Sequence, residues 1–161
     1  MKKQTTLGPL PLKQITVLLA DDHVNFRKSL KILVEIDGDI TVIGEAKNGF
    51  EAVGLNSSLS PDIVVMDIAM PLLNGLQATR QIIDISPAAR VLILSSHADS
   101  EYIKQAMAFG AFGYLIKQSS APILADAIRE VLKGNAYFSE SISKCLRDEC
   151  QKVFDKGRLP K

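Results

Sequence analysis

The chain has 161 residues, 47% of them hydrophobic and 23% charged, a balance that suits one folded domain with a real core and excludes a disordered or low-complexity chain. Lys and Arg number 19 against 18 Asp and Glu, so the formal net charge is +1 and nothing global draws the protein to nucleic acid or to an anionic membrane. The two cysteines, Cys145 and Cys150, form neither a disulfide framework nor a zinc spacing, and no apolar run approaches the ~20 residues that span a bilayer. The expected compartment is the reducing cytoplasm.

Residues 1–13 have a basic start but no apolar stretch behind it, and read as a flexible lead-in rather than a signal peptide. The first apolar run is Ile15–Ala20, short and rich in aliphatic residues, as a buried strand should be. Phe26, Leu30, Leu33 and Val34 then share one helical face, which Gly38 closes. The next run is Ile40–Ala46, followed by the Asn48-Gly49 break, then Ile63–Met66 behind Ser60-Pro61. Leu76, Ile82 and Ile83 begin a helical face that ends at Ser86-Pro87. A fourth run, Val91–Ser95, precedes the face of Ile103, Ala106 and Met107 and the breaker Gly110. The fifth run, Phe112–Ile116, precedes the strongest amphipathic pattern: Ile123, Leu124, Ala127, Ile128, Val131 and Leu132, closed by Gly134-Asn135. Residues 135–161 keep a moderate helical pattern in Ile142, Leu146 and Val153, and read as a linker helix with a polar tail.

Short buried strands alternating with helices imply a parallel sheet wrapped on both faces through right-handed crossovers. The predicted fold is a doubly wound α/β domain over residues 14–134. Its five-stranded sheet takes the flavodoxin-like order 2-1-3-4-5.

Ligands bind such sheets beyond the carboxyl ends of the strands. Asp21 and Asp22 follow the first strand, Asp67 follows the third, Ser95 ends the fourth and Lys117 follows the fifth. The strand order sets the first and third strands side by side, so three carboxylates converge. Two such charges ~4 Å apart repel by about 4 kcal/mol at an effective dielectric near 20, so either their pKa values rise or a cation binds. An all-oxygen set favours a hard ion, and Mg²⁺ suits carboxylates, waters and a phosphate oxygen. With Lys117 and Ser95 opposite one carboxylate, the pocket suits phosphoryl transfer to an Asp nucleophile. The bland alternative for Asp21-Asp22 is capping of the next helix. For His23 it is a place at the helix start with no catalytic part, and for Tyr114 it is core packing.

The segments Leu18-Leu19-Ala20-Asp21-Asp22-His23, Gly44-Glu45-Ala46-Lys47-Asn48-Gly49 and Val65-Met66-Asp67-Ile68-Ala69-Met70-Pro71 with Gly75 resemble the response-regulator receiver family. So do Leu94-Ser95 and Gly110-Ala111-Phe112-Gly113-Tyr114-Leu115-Ile116-Lys117; with Asp-Asp-His and Arg27, the chain is most similar to the NarL/FixJ subfamily of transcriptional regulators. The resemblance implies that Asp67 accepts the phosphoryl group from a phosphohistidine of a sensor kinase. It implies that Asp22, Asp67 and the Ala69 carbonyl hold Mg²⁺ directly, that Asp21 does so through water, and that Lys117 and Ser95 engage the phosphoryl group. Tyr114 is then the aromatic switch, turning inward as Ser95 moves, and Ala69 and His97 hold positions that tune dephosphorylation. Such a domain catalyses its own phosphorylation and dephosphorylation and is not a turnover enzyme. The subfamily leaves room for a homodimer and normally adds a helix-turn-helix DNA-binding domain; the 27 residues from 135 onward are too few for one, so the chain is expected to be a piece cut in the interdomain linker of a longer protein, with a stand-alone receiver as the alternative. A flavodoxin-like phosphate binder fits less well, because Asp21-Asp22 stand where a Gly- or Ser-rich loop would be needed. An aspartyl phosphatase would carry Asp-x-Asp where this chain has Asp67-Ile68-Ala69. A receiver-like docking module would lack part of the set Asp21, Asp22, Asp67, Ser95 and Lys117.

Overall fold

A computed structural model describes residues 13–157. The lead-in up to residue 12 and the end of the tail lie outside the described residues, as does the side chain of Val153. The chain runs β1 (Ile15–Ala20), α1 (Val24–Glu35), β2 (Ile40–Ala46), α2 (Gly49–Leu59), β3 (Ile63–Met66) and α3 (Gly75–Ile85). It continues with β4 (Val91–Ser95), α4 (Ser100–Ala108), β5 (Gly113–Ile116), α5 (Leu124–Leu132), β6 (Tyr137–Phe138) and α6 (Glu140–Gly157). All strand pairings are parallel, in the order β2-β1-β3-β4-β5-β6.

Alternation along each strand builds two cores. On β1, Leu18 and Ala20 face a layer with Ala52, Leu76, Ile82, Ile103 and Ala106, from α2, α3 and α4. Val17 and Leu19 face the opposite layer, where Leu30 and Val34 of α1 meet Leu124, Ala127, Ile128 and Val131 of α5. β3 and β4, covered on both faces, contain no exposed position and are apolar except for Ser95 at the end of β4.

The sheet order agrees with the sequence reading, but the sheet has six strands where five were expected. The two residues of β6 pair with β5, Gly113 opposite Tyr137 and Tyr114 opposite Phe138. The Ser139 amide donates to the Tyr114 carbonyl at 3.1 Å, and Ser139 Oγ accepts from the Ile116 amide at 2.9 Å. Gly113 makes the close approach possible: a Cβ there would sit 2.1 Å from the Tyr137 carbonyl oxygen. Ile142 of α6 is fully buried in the layer of α2, α3 and α4, with Cys145 and Leu146 packed beside it. Residues 137–146 thus pair with β5 and pack against the core.

Candidate phosphoryl-acceptor site

Ladder hydrogen bonds carry the acidic residues into place. The Asp67 amide donates to the Ala20 carbonyl, and the Asp21 amide to the Ala46 carbonyl, each at 2.9 Å. Both carboxylates therefore emerge at the carboxyl edge where β1 and β3 lie side by side. Behind Asp67 the chain bends, with the Gly75 amide donating to the Ile68 carbonyl at 2.9 Å. A Cβ on Gly75 would fall 1.8 Å from the Asp67 carbonyl oxygen, so α3 can begin this close only with glycine there. Asn74 caps α3 by accepting from the Gln77 amide at 2.9 Å.

Asp21 and Asp67 are buried, each 3% exposed, and Lys117 is the cation between them. Its Nζ lies 2.7 Å from Asp21 Oδ2 and 3.3 Å from Asp67 Oδ2. The same ammonium sits 4.5 Å from the centre of the Phe26 ring, a cation–π contact that steadies it over α1. Burial pushes the Asp67 carboxyl above the ordinary carboxylate range; the neighbouring charge of Asp21 and, less, that of Asp22 add to this, while Lys117 opposes it.

One ligand atom from each of Asp21, Asp22, His23 and Asp67 falls in a cluster no more than 4.8 Å across. Asp21 Oδ2 and Asp22 Oδ1 are shielded from solvent yet accept no hydrogen bond. Each has only a cationic or potentially cationic neighbour: Lys117 for the first, and His23 Nδ1 at 3.2 Å for the second. Three carboxylates faced by the Lys117 ammonium, with Asp22 Oδ1 shielded and accepting no hydrogen bond, suit a small divalent cation, so the residues present fit Mg²⁺.

Asp21 and Asp22 do not cap α1. The N-cap is His23, whose side chain makes no capping bond, while its backbone amide donates to Asp21 Oδ1 at 2.8 Å. His23 stands at the helix start as expected, but its ring also reaches the carboxylates, which its position in the sequence did not suggest. Arg27 was legible only through the family resemblance. Its Nη1 donates to the Asp21 carbonyl at 2.6 Å and its Nε pairs with Glu45 at 2.9 Å, so it braces the β1–α1 loop.

Ser95 and Tyr114 are tied to each other through His97. Ser95 is fully buried, and its Oγ accepts from the His97 amide at 3.0 Å. Tyr114 is also fully buried and donates its hydroxyl to the His97 carbonyl at 2.5 Å. Burial pushes the Tyr114 phenol upward, against a smaller opposing effect of Ser95. The Tyr114 ring thus lies inward. Ala69 is exposed on the bent loop after Asp67, where the Met70 amide closes on the Ile68 carbonyl at 2.9 Å.

The strand order, with an acidic pocket and a lysine at the carboxyl edge, defines a flavodoxin-like α/β domain of the receiver type. Residues 17–129 match the family model of the response regulator receiver domain, and the chain belongs to that family. It is 34% identical over 140 residues to the transcriptional regulatory protein DegU of Brevibacillus brevis, covering 87% of this chain and 59% of that protein. It is 39% identical over 129 residues to the transcriptional regulatory protein LiaR of Bacillus subtilis, covering 80% of this chain and 61% of LiaR. Among solved structures it is similar to a LuxR-family two-component response regulator from Aurantimonas sp. SI85-9A1, at TM-score 0.82 and 35% identity, covering 85% of this chain and 98% of that one. The chain spans about three fifths of the length of these curated relatives (59% and 61%). It is therefore a receiver domain of the LuxR/NarL type, a signalling module rather than an enzyme that turns over an external substrate. Among the described residues, no helix is long and apolar enough to cross a membrane.

Proposed function

We propose that this receiver takes a phosphoryl group on Asp67 and passes the change to an output partner. The observation that carries the reading is the buried Asp67 carboxylate, set against Lys117 at 3.3 Å beside the acidic cluster of Asp21 and Asp22. An oxygen of Asp67 attacks phosphorus of a phosphohistidine on a sensor kinase. The P–N bond breaks, its electron pair goes to the leaving imidazole, and an acyl phosphate forms. Asp22, Asp67 and the Ala69 carbonyl would hold Mg²⁺ directly, and Asp21 through water. When bound, the ion neutralises charge on the carboxylates and on the phosphoryl oxygens. Lys117, now paired with carboxylates, can instead pair with a phosphoryl oxygen, and the buried Ser95 hydroxyl can donate to another. Drawing Ser95 toward the phosphoryl group disturbs its bond from His97, and through His97 the anchor of Tyr114. That route biases two packings of the α4–β5 region.

The relatives DegU and LiaR are transcriptional regulatory proteins, and on that ground we assign the output to DNA binding by a domain outside this chain. The domain then works in the cytoplasm with a sensor histidine kinase as donor, and the subfamily resemblance leaves room for a homodimer. The test is incubation of the purified chain with acetyl phosphate, with and without Mg²⁺, read by intact mass. The gain of one phosphoryl group that needs Mg²⁺ and is lost in Asp67→Asn is the expected result; no gain under either condition overturns it.

A further inference from the structure

Among the described residues, His23 brings an imidazole nitrogen to the acidic cluster. Its Nδ1 lies 3.2 Å from Asp21 Oδ1 and 3.2 Å from Asp22 Oδ1, and 3.5 Å from Lys117 Nζ. Ligands on adjacent corners of an octahedral ion with bonds near 2.1 Å are about 3.0 Å apart, so the ring nitrogen stands from Asp22 Oδ1, the oxygen of a direct ligand, at roughly the spacing of a co-ligand. The backbone fixes this placement, since the His23 amide is itself bonded to Asp21 Oδ1 at 2.8 Å. Asp21 is almost wholly buried, its Oδ2 accepts no hydrogen bond, and Asp22 Oδ1 is likewise shielded and unsatisfied. The pocket thus offers a shielded Asp22 oxygen that accepts no hydrogen bond and an imidazole nitrogen beside it.

We propose that His23 supplies a nitrogen ligand to this cation pocket, so that the site takes imidazole-preferring divalent ions such as Ni²⁺ and Co²⁺ more tightly than its carboxylates alone would. The inference rests on the cation-pocket reading above and extends it to metal selectivity. Mg²⁺ is hard and gains little from imidazole, whereas Ni²⁺ and Co²⁺ gain much. Removing the ring therefore separates the two classes of ion. Any donor set favours Ni²⁺ over Mg²⁺ to some degree, so the informative quantity is the change in that ratio when the nitrogen is removed.

The experiment is calorimetric titration of the metal-free full chain with Mg²⁺ and with Ni²⁺, in wild type and in His23→Asn, with Mg²⁺ competition to confirm one shared site. In His23→Asn the Ni²⁺ affinity should fall about tenfold or more while the Mg²⁺ affinity stays within about threefold. The Co²⁺-loaded wild type should also show a paramagnetically shifted imidazole N–H resonance that disappears in the variant. Normal Mg²⁺ binding with an unchanged Ni²⁺ affinity in His23→Asn overturns the inference and leaves the pocket standing. Failure of the wild type to bind either ion overturns both.

Discussion

Asp67 should cost the metal-free protein stability, and replacing it with Asn should give that stability back. Its ligand oxygen lies within 4.8 Å of those of Asp21 and Asp22, so at an effective dielectric near 20 each repulsion is at least about 3.5 kcal/mol. Lys117 at 3.3 Å returns about 5 kcal/mol on the same scale. The balance is about 2 kcal/mol against the charged form, before the further cost of burying the carboxylate. Asp67→Asn removes the charge and keeps the shape, so the metal-free variant should be more stable at pH 7 by about 1–3 kcal/mol, a rise in Tm of roughly 2–12 °C at this size. The sign follows from the raised pKa. A carboxyl whose folded pKa exceeds its unfolded value of 3.8 binds extra protons in the native state, so native stability falls as pH rises through that window. The advantage of Asn must therefore shrink as pH falls and disappear below about 3.8. Urea unfolding in chelator at a series of pH values measures this directly. A variant less stable than wild type at pH 7, or an advantage that persists undiminished to pH 3, would refute the electrostatic reasoning.

Other substitutions probe the scaffold. Gly75→Ala puts a methyl 1.8 Å from the Asp67 carbonyl oxygen, so the β3–α3 loop must move; we expect a loss of about 3 kcal/mol in urea unfolding, with the acceptor displaced. Ile142→Ala should cost about 2–5 kcal/mol, because the side chain is fully buried against the α2–α3–α4 layer; an unchanged Tm would mean that α6 is not part of the folded unit. Arg129 bonds both oxygens of Asp39, at 2.7 and 2.9 Å, and holds its carboxyl below the ordinary range. Arg129→Met should cost on the order of 1 kcal/mol after allowance for solvent screening. That penalty is present above pH 3.8 and fades as pH falls through the lowered folded pKa; chemical denaturation at two pH values reads it.

The central strands β3 and β4 are buried at every position, so their limits could be read from apolar runs alone, while β2, at the sheet edge with exposed Glu45, was read from its β-branched run between breakers. Helix α2 was visible only through the Asn48-Gly49 break, because the residues it buries are Gly49, Ala52 and Asn56, which make no apolar stripe. Strand β6 escaped notice because two residues set no period; what fixes them is Gly113 across the ladder. The carboxylates and Lys117 were legible as strand-end residues, since the strand order alone brings them together. The ring of His23 and the link from Ser95 to Tyr114 through His97 depend on side-chain directions in loops, which no periodicity encodes.

The central claim is that Asp67, and no other carboxylate in the pocket, carries the phosphoryl group. Reduction of the acetyl phosphate-treated protein with borohydride converts an aspartyl phosphate to homoserine, which tandem mass spectrometry locates in the sequence. Homoserine at residue 67, formed only when Mg²⁺ was present, is the predicted result. Homoserine at Asp21 or Asp22, or none anywhere in a protein that has gained the phosphoryl mass, would contradict it.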